Sequence, residues 1–95
     1  MQVVLVRWRP RTPGWTTARL HTVLDASTAP ADQIAHVRVE DDAEEWRLAM
    51  FVHSPTAGMA RAAVQALVIR TAASLPVRPD VLDVEVVTEW FRLPR

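Results

Sequence analysis

Two runs in the middle of the chain restrict its folding more than any other feature. Residues 34–40 (IAHVRVE) and 46–53 (WRLAMFVH) each alternate apolar and polar side chains. In the first, Ala35, Val37 and Val39 stand against His36, Arg38 and Glu40. In the second, Trp46, Leu48, Met50 and Val52 stand against Arg47, Ala49, Phe51 and His53. A period of two is the mark of a half-buried strand. The connection is DDAEE (41–45), short and fully polar, so the two strands form an antiparallel hairpin with a solvated turn. Placing Glu40 opposite Arg47 puts both apolar sets on one face and an opposite-charge pair on the other. A slip of one residue would turn every side chain over, so the pattern fixes the register.

The flanks of the hairpin resemble each other. VVLVRW (3–8) is rich in β-branched residues and reads as a strand that stops near Arg9, because Pro10 has no N–H for a ladder. Thr12-Pro13 then offers a helix cap followed by proline, and residues 13–26 carry Thr16, Leu20, Val23 and Leu24 at helical spacing. The same segment alternates as a strand through Ala18, Leu20, Thr22 and Leu24, which leaves a second reading open. Residues 27–33 are a loop. After the hairpin, Ser54-Pro55 repeats the cap signal. Residues 55–75 place Ala60, Val64, Leu67, Val68, Thr71 and Leu75 along one helical stripe. Pro76 and Pro79 end it. Residues 81–90 close the chain as a strand, with Leu82, Val84 and Val86 against Asp83, Glu85, Val87 and Glu89.

The expected order is β-α-β-β-α-β. Two βαβ halves joined by a hairpin give the ferredoxin-like split βαβ fold, an α+β domain. Right-handed crossovers place both helices on one face of a four-stranded antiparallel sheet, with the first and third strands central. Were residues 13–26 a strand, the product would be a five-stranded sheet with one long helix. Residues 1–89 read as one domain and 90–95 as a short apolar and basic tail. At 95 residues such a chain buries roughly 60–65% of its unfolded surface, enough to fold alone with little margin.

Charge sums to zero but is unevenly spread. Residues 1–24 carry four arginines and no acid; residues 25–46 carry seven acids against Arg38 alone. A chain of this kind satisfies its charges internally, and a general affinity for polyanions is not implied. Every basic residue is arginine, as the codon bias of a high-GC bacterial genome would give, which weakens any argument from arginine alone. There is no cysteine, so disulfides, thiolate metal sites and cysteine nucleophiles are excluded. MQVVLVRWRP lacks the basic n-region and apolar core of a signal peptide, and no run reaches the length of a membrane span. The expected location is the cytoplasm.

Helices on one side leave the other face of the sheet open. In this register it collects Val3, Leu5, Arg7 and Arg9, then His36, Arg38 and Glu40, then Arg47, Ala49, Phe51 and His53, and finally the outward residues of the last strand. Val3, Leu5, Ala49, Phe51 and Val87 make the face more apolar than a solvated surface needs to be. With Trp90 and Phe91 of the tail, they are the candidate partner interface. The function expected is that of a small non-enzymatic module that associates with protein, as a homodimer through this face, with an accessory or regulatory role.

Other readings have less to draw on. The stretch VVLVRWRP (3–10) resembles the first strand of small dimeric α+β-barrel proteins, a group that includes polyketide cyclases, heme-degrading enzymes and cofactor-independent monooxygenases. The resemblance covers about a tenth of the chain and carries no catalytic motif. It implies a dimer with a small-molecule pocket, in which His36 or His53 would act as the acid–base group. A metal site would need a third convergent ligand; Glu40 and Glu85 are conceivable, but no spacing motif supports either, so no metal is implied, and no phosphate loop or cofactor motif is present. A third reading, weak nucleic-acid binding through the N-terminal arginines, lacks a stacking aromatic on the first strand's outward side and meets acids on the last strand.

Overall fold

The computed structural model describes residues 1–42, 44–76, 79 and 81–87, with backbone only at 81 and 82. The elements are β1 (Gln2–Arg9), α1 (Thr17–Ser27), a short 3₁₀ turn (Pro30–Asp32), β2 (Ile34–Asp41), β3 (Trp46–Val52), α2 (Ala57–Ala73) and β4 (Val81–Val87). The strands form one antiparallel sheet in the order β2-β3-β1-β4. That is the split βαβ arrangement, with the first and third strands central. Residues 17–27 are helical, so the five-stranded alternative does not occur. Glu40 pairs with Arg47 as the alternation requires, and Val37 and Val39 fall opposite Met50 and Leu48.

Both helices pack on the face that carries the even-numbered residues of β1. Val4, Val6 and Trp8 join Trp46, Leu48, Met50 and Val52 of β3, Leu20 and Leu24 of α1, and Ala60, Val64, Leu67 and Val68 of α2 in one core. The two tryptophans are cross-strand partners, both fully buried, and meet edge to face with ring centres 6.1 Å apart. Each indole N–H lacks a hydrogen-bond partner among the described residues. The packing of two large aromatic surfaces outweighs that cost here. Thr71, buried mid-helix, satisfies its hydroxyl by donating to the Leu67 carbonyl at 2.9 Å.

Both helices start later than the Ser/Thr-Pro signals suggest. Thr16, not Thr12, caps α1: its Oγ1 accepts the Arg19 N–H at 3.1 Å. Thr12-Pro13-Gly14-Trp15 is instead a tight turn, closed by Trp15 N–H donating to the Thr12 carbonyl at 3.1 Å. Gly14 has φ +78°, as the third residue of a type II turn requires, and proline precedes it. The Pro-Gly pair therefore overrides the cap signal. The Arg9–Pro10 peptide just before it is cis. At α2, Thr56 caps by accepting the Met59 N–H, while Ser54 donates its hydroxyl to the Thr56 carbonyl.

A second departure lies at the start of β2. Ile34 pairs with Val52 and His36 with Phe51, leaving Ala35 as the extra residue of a bulge. Ala35 is exposed rather than in the core, and Ile34 packs there in its place.

Candidate functional site: the open sheet face

The ladder arranges the uncovered face into three rows of four, one residue from each strand in the order β4, β1, β3, β2. The first row is Val87, Val3, Phe51 and His36. The second is Glu85, Leu5, Ala49 and Arg38. The third is Asp83, Arg7, Arg47 and Glu40. Each row is set by backbone pairing, so these neighbours follow from the register.

The first two rows hold the apolar candidates. Val3 is 5% exposed although it lies outside the main core; Phe51 and Val87 flank it on the adjoining strands. Leu5, Ala49, Phe51 and Val87 are half-buried. His36 leans on Phe51, with ring centres 5.8 Å apart and planes tilted by 44°. His53 is exposed past the end of β3, where its backbone N–H donates to Gln33 O at 2.8 Å. The remaining histidine, His21 on α1, contacts the Val37 carbonyl at 3.0 Å and Asp25 at 3.1 Å.

The third row and its continuation are charged, and Arg7, Arg47 and Glu40 are held in ion pairs. Arg7 Nε donates to Glu45 Oε2 at 3.0 Å, and Arg7 Nη2 and Arg9 Nη2 donate to Oε1 at 3.2 and 3.0 Å. Glu45 is 4% exposed, so its carboxylate gains far more from these donors than a solvated one would. Hydrogen bonding from Arg7 is the largest influence; with the bond from Arg9 and the charges of Arg7 and Arg47 it outweighs desolvation and holds the Glu45 carboxyl down at about 2. Arg7 is correspondingly pushed up, first by its hydrogen bond to Glu45 and then by that residue's charge. Arg47 stands directly across from Arg7, a like-charge pair that would repel if bare. Asp42 at 2.9 Å and Glu45 at 3.9 Å neutralise it. Arg38 pairs along its own strand with Glu40 at 3.1 Å.

Between the second and third rows the twisted sheet forms a groove of about 670 Å³, with Leu5 and Ala49 on its floor and Arg7, Arg38, Arg47 and Glu85 among its walls. Neither His36 nor His53 lines it. No protein-family model, curated protein or solved structure matches this chain.

The register brings together Val3, Leu5, Ala49, Phe51 and Val87 as the alternation implies. Trp90 and Phe91 lie outside the described residues. The partners of the N-terminal arginines differ from expectation. Arg7 and Arg9 turn to Glu45, with Asp83 of β4 adding only to the field at Arg7. Arg11, at the turn after β1, pairs with Asp41. The DDAEE turn is thus not simply solvated. A signal for Glu45 is present in the numbering. Trp8 pairs with Trp46, so one further step of the same ladder sets Arg9 against Glu45.

Proposed function

We propose that the protein is a small non-enzymatic association module, acting in the cytoplasm as a homodimer through its open sheet face. The observation that carries this reading is the contiguity of Val3, Leu5, Ala49, Phe51 and Val87 across three neighbouring strands, on a face that no element among the described residues covers. Apolar surface gathered in one patch is worth burying, at about 25 cal/mol per Å². A second copy suits it because the patch is bordered by both signs of charge, Arg38 on one edge and Glu85 on the other. A polyanion or a strongly basic partner would leave one edge opposed.

Size-exclusion chromatography with light scattering tests the reading. The full chain at tens of micromolar should run at twice its own mass, and Leu5→Lys with Phe51→Glu should return it to a monomer. Removal of residues 90–95 measures what Trp90 and Phe91 add. A wild-type chain that stays monomeric at all accessible concentrations overturns the proposal.

The groove favours a second reading, a small-molecule binder of the dimeric α+β-barrel kind. Its volume falls in the range of ligand pockets, with an apolar floor and charged walls. The histidines give this reading no help, since neither reaches the groove. Nucleic-acid binding has less support. Arg7, Arg9 and Arg11 each have a carboxylate partner, which leaves no cluster of unpaired cations for phosphate on that stretch.

A further inference from the structure

We infer that two copies pack face to face about a two-fold axis running parallel to the strands, between β1 and β3, with Arg38 of each copy paired to Glu85 of the other. The inference rests on the homodimer reading above and adds its geometry.

The order of side chains within the rows selects the axis. Two identical sheets packed face to face with their strands nearly aligned are related by an axis lying between them, either along the strands or across them. An axis along the strands reverses each row onto itself: β2 of one copy lies over β4 of the other, and β1 over β3. The second row reads Glu85, Leu5, Ala49, Arg38, with a negative end, an apolar middle and a positive end. Reversed onto itself, it sets Arg38 against Glu85 twice and Leu5 against Ala49 twice. The first row, Val87, Val3, Phe51 and His36, then meets itself with Phe51 over Val3. Both rows are self-complementary under this operation.

An axis across the strands gives a poorer match. Centred on the second row, it sets Arg38 on Arg38 and Glu85 on Glu85. Centred between the first two rows, it brings Glu85 over Val87 and Arg38 over His36, with no opposite charge for either. Like charges placed in contact oppose association strongly, so the charge order selects the axis along the strands. Glu85 is exposed and has no ion-pair partner among the described residues; Arg38 has only its exposed neighbour Glu40.

The third row limits where the contact lies. Reversed onto itself, it would bring Arg7 over Arg47 and Asp83 over Glu40. Those arginines are already drawn toward Glu45 and Asp42. Packed sheets also cross at about 30°, which splays the ends of the interface apart. The contact therefore centres on the first two rows and leaves the third at a wet rim.

Charge reversal followed by light scattering and dilution tests the geometry. Arg38→Glu and Glu85→Arg should each weaken the dimer tenfold or more, and the double variant should return to within about threefold of wild type. Glu85→Arg carries the test if Arg38→Glu, which also loses Glu40, fails to fold. Because the chain has no cysteine, treating a mixture of Arg38→Cys and Glu85→Cys chains with a bis-maleimide that spans the spacing of packed sheets, about 10 Å, reads the register directly. Crosslinks between the two variants are expected, and crosslinks of each variant to itself overturn the axis. A wild-type dimer indifferent to either charge reversal overturns this geometry and leaves the homodimer standing. A wild-type monomer removes both.

Discussion

Glu45 is the residue on which the charged end of the sheet depends. It follows the hairpin turn, is almost wholly buried, and receives three hydrogen bonds from two arginines of β1. Its carboxyl, ordinarily near 4.5, titrates in the folded protein at about 2. A depressed carboxylate stabilises the fold fully above its unfolded value and loses that contribution as pH falls toward the folded one. For Glu45 the window runs from about 4.5 down to about 2. Glu45→Gln should therefore be less stable than wild type at pH 7, with the gap closing across that window. Urea midpoints of both proteins from pH 7 to pH 2 provide the check; a gap constant over the whole range would mean that the charge contributes nothing.

At the scale of elements, the two βαβ halves are joined on the helical side by a polar clamp. Arg70, in the last turn of α2, donates to the Ser27 carbonyl at the end of α1 and to Asp32 at 2.5 Å. Asp32 is 7% exposed and also accepts the Ala29 N–H at 2.8 Å, which closes the 3₁₀ turn into β2. Asp32→Ala removes acceptors from both donors. It should cost about 1–3 kcal/mol, toward the lower end because Arg70 itself stays partly solvated. Urea denaturation measures it, and a loss under about 0.5 kcal/mol would make the clamp incidental. This clamp was not legible in the sequence, whereas the strands and α2 were, and the difference is physical. Alternation in β2 and β3 and the stripe from Ala60 to Leu75 record burial, which acts along the whole element. The Arg70–Asp32 pair joins residues that only the finished packing brings together. Where two local signals competed, as at Thr12-Pro13-Gly14, the glycine's left-handed backbone decided for a turn, and α1 began one turn later. The apolar half of the open face followed from parity alone. Its charged half did not, because the acid that organises it stands just outside β3.

The whole molecule is a sheet whose central strand comes first in the chain and whose last neighbour comes at the far end. Val3 pairs with Val87, so the β1–β4 ladder closes a loop of nearly the full described length. The β2–β3 hairpin and α2, in contrast, are assembled from residues close in sequence. Loop closure costs more entropy as the loop lengthens, and contacts between distant residues slow folding. The hairpin, with α1 packed on β2, should therefore form the folding nucleus, and β4 should dock after the rate-limiting step. Val84→Ala, on the core side of β4, is expected to speed unfolding and leave the folding rate within about twofold, whereas Leu48→Ala in the hairpin should slow folding. Stopped-flow chevrons of the two variants decide it; a slowed folding arm for Val84→Ala would place β4 in the nucleus. During synthesis the same order of events leaves one edge of β1 unpaired until the last strand has left the ribosome. For that interval the chain offers a nascent neighbour an open ladder, and the fidelity of assembly depends on how quickly its own C-terminal strand arrives.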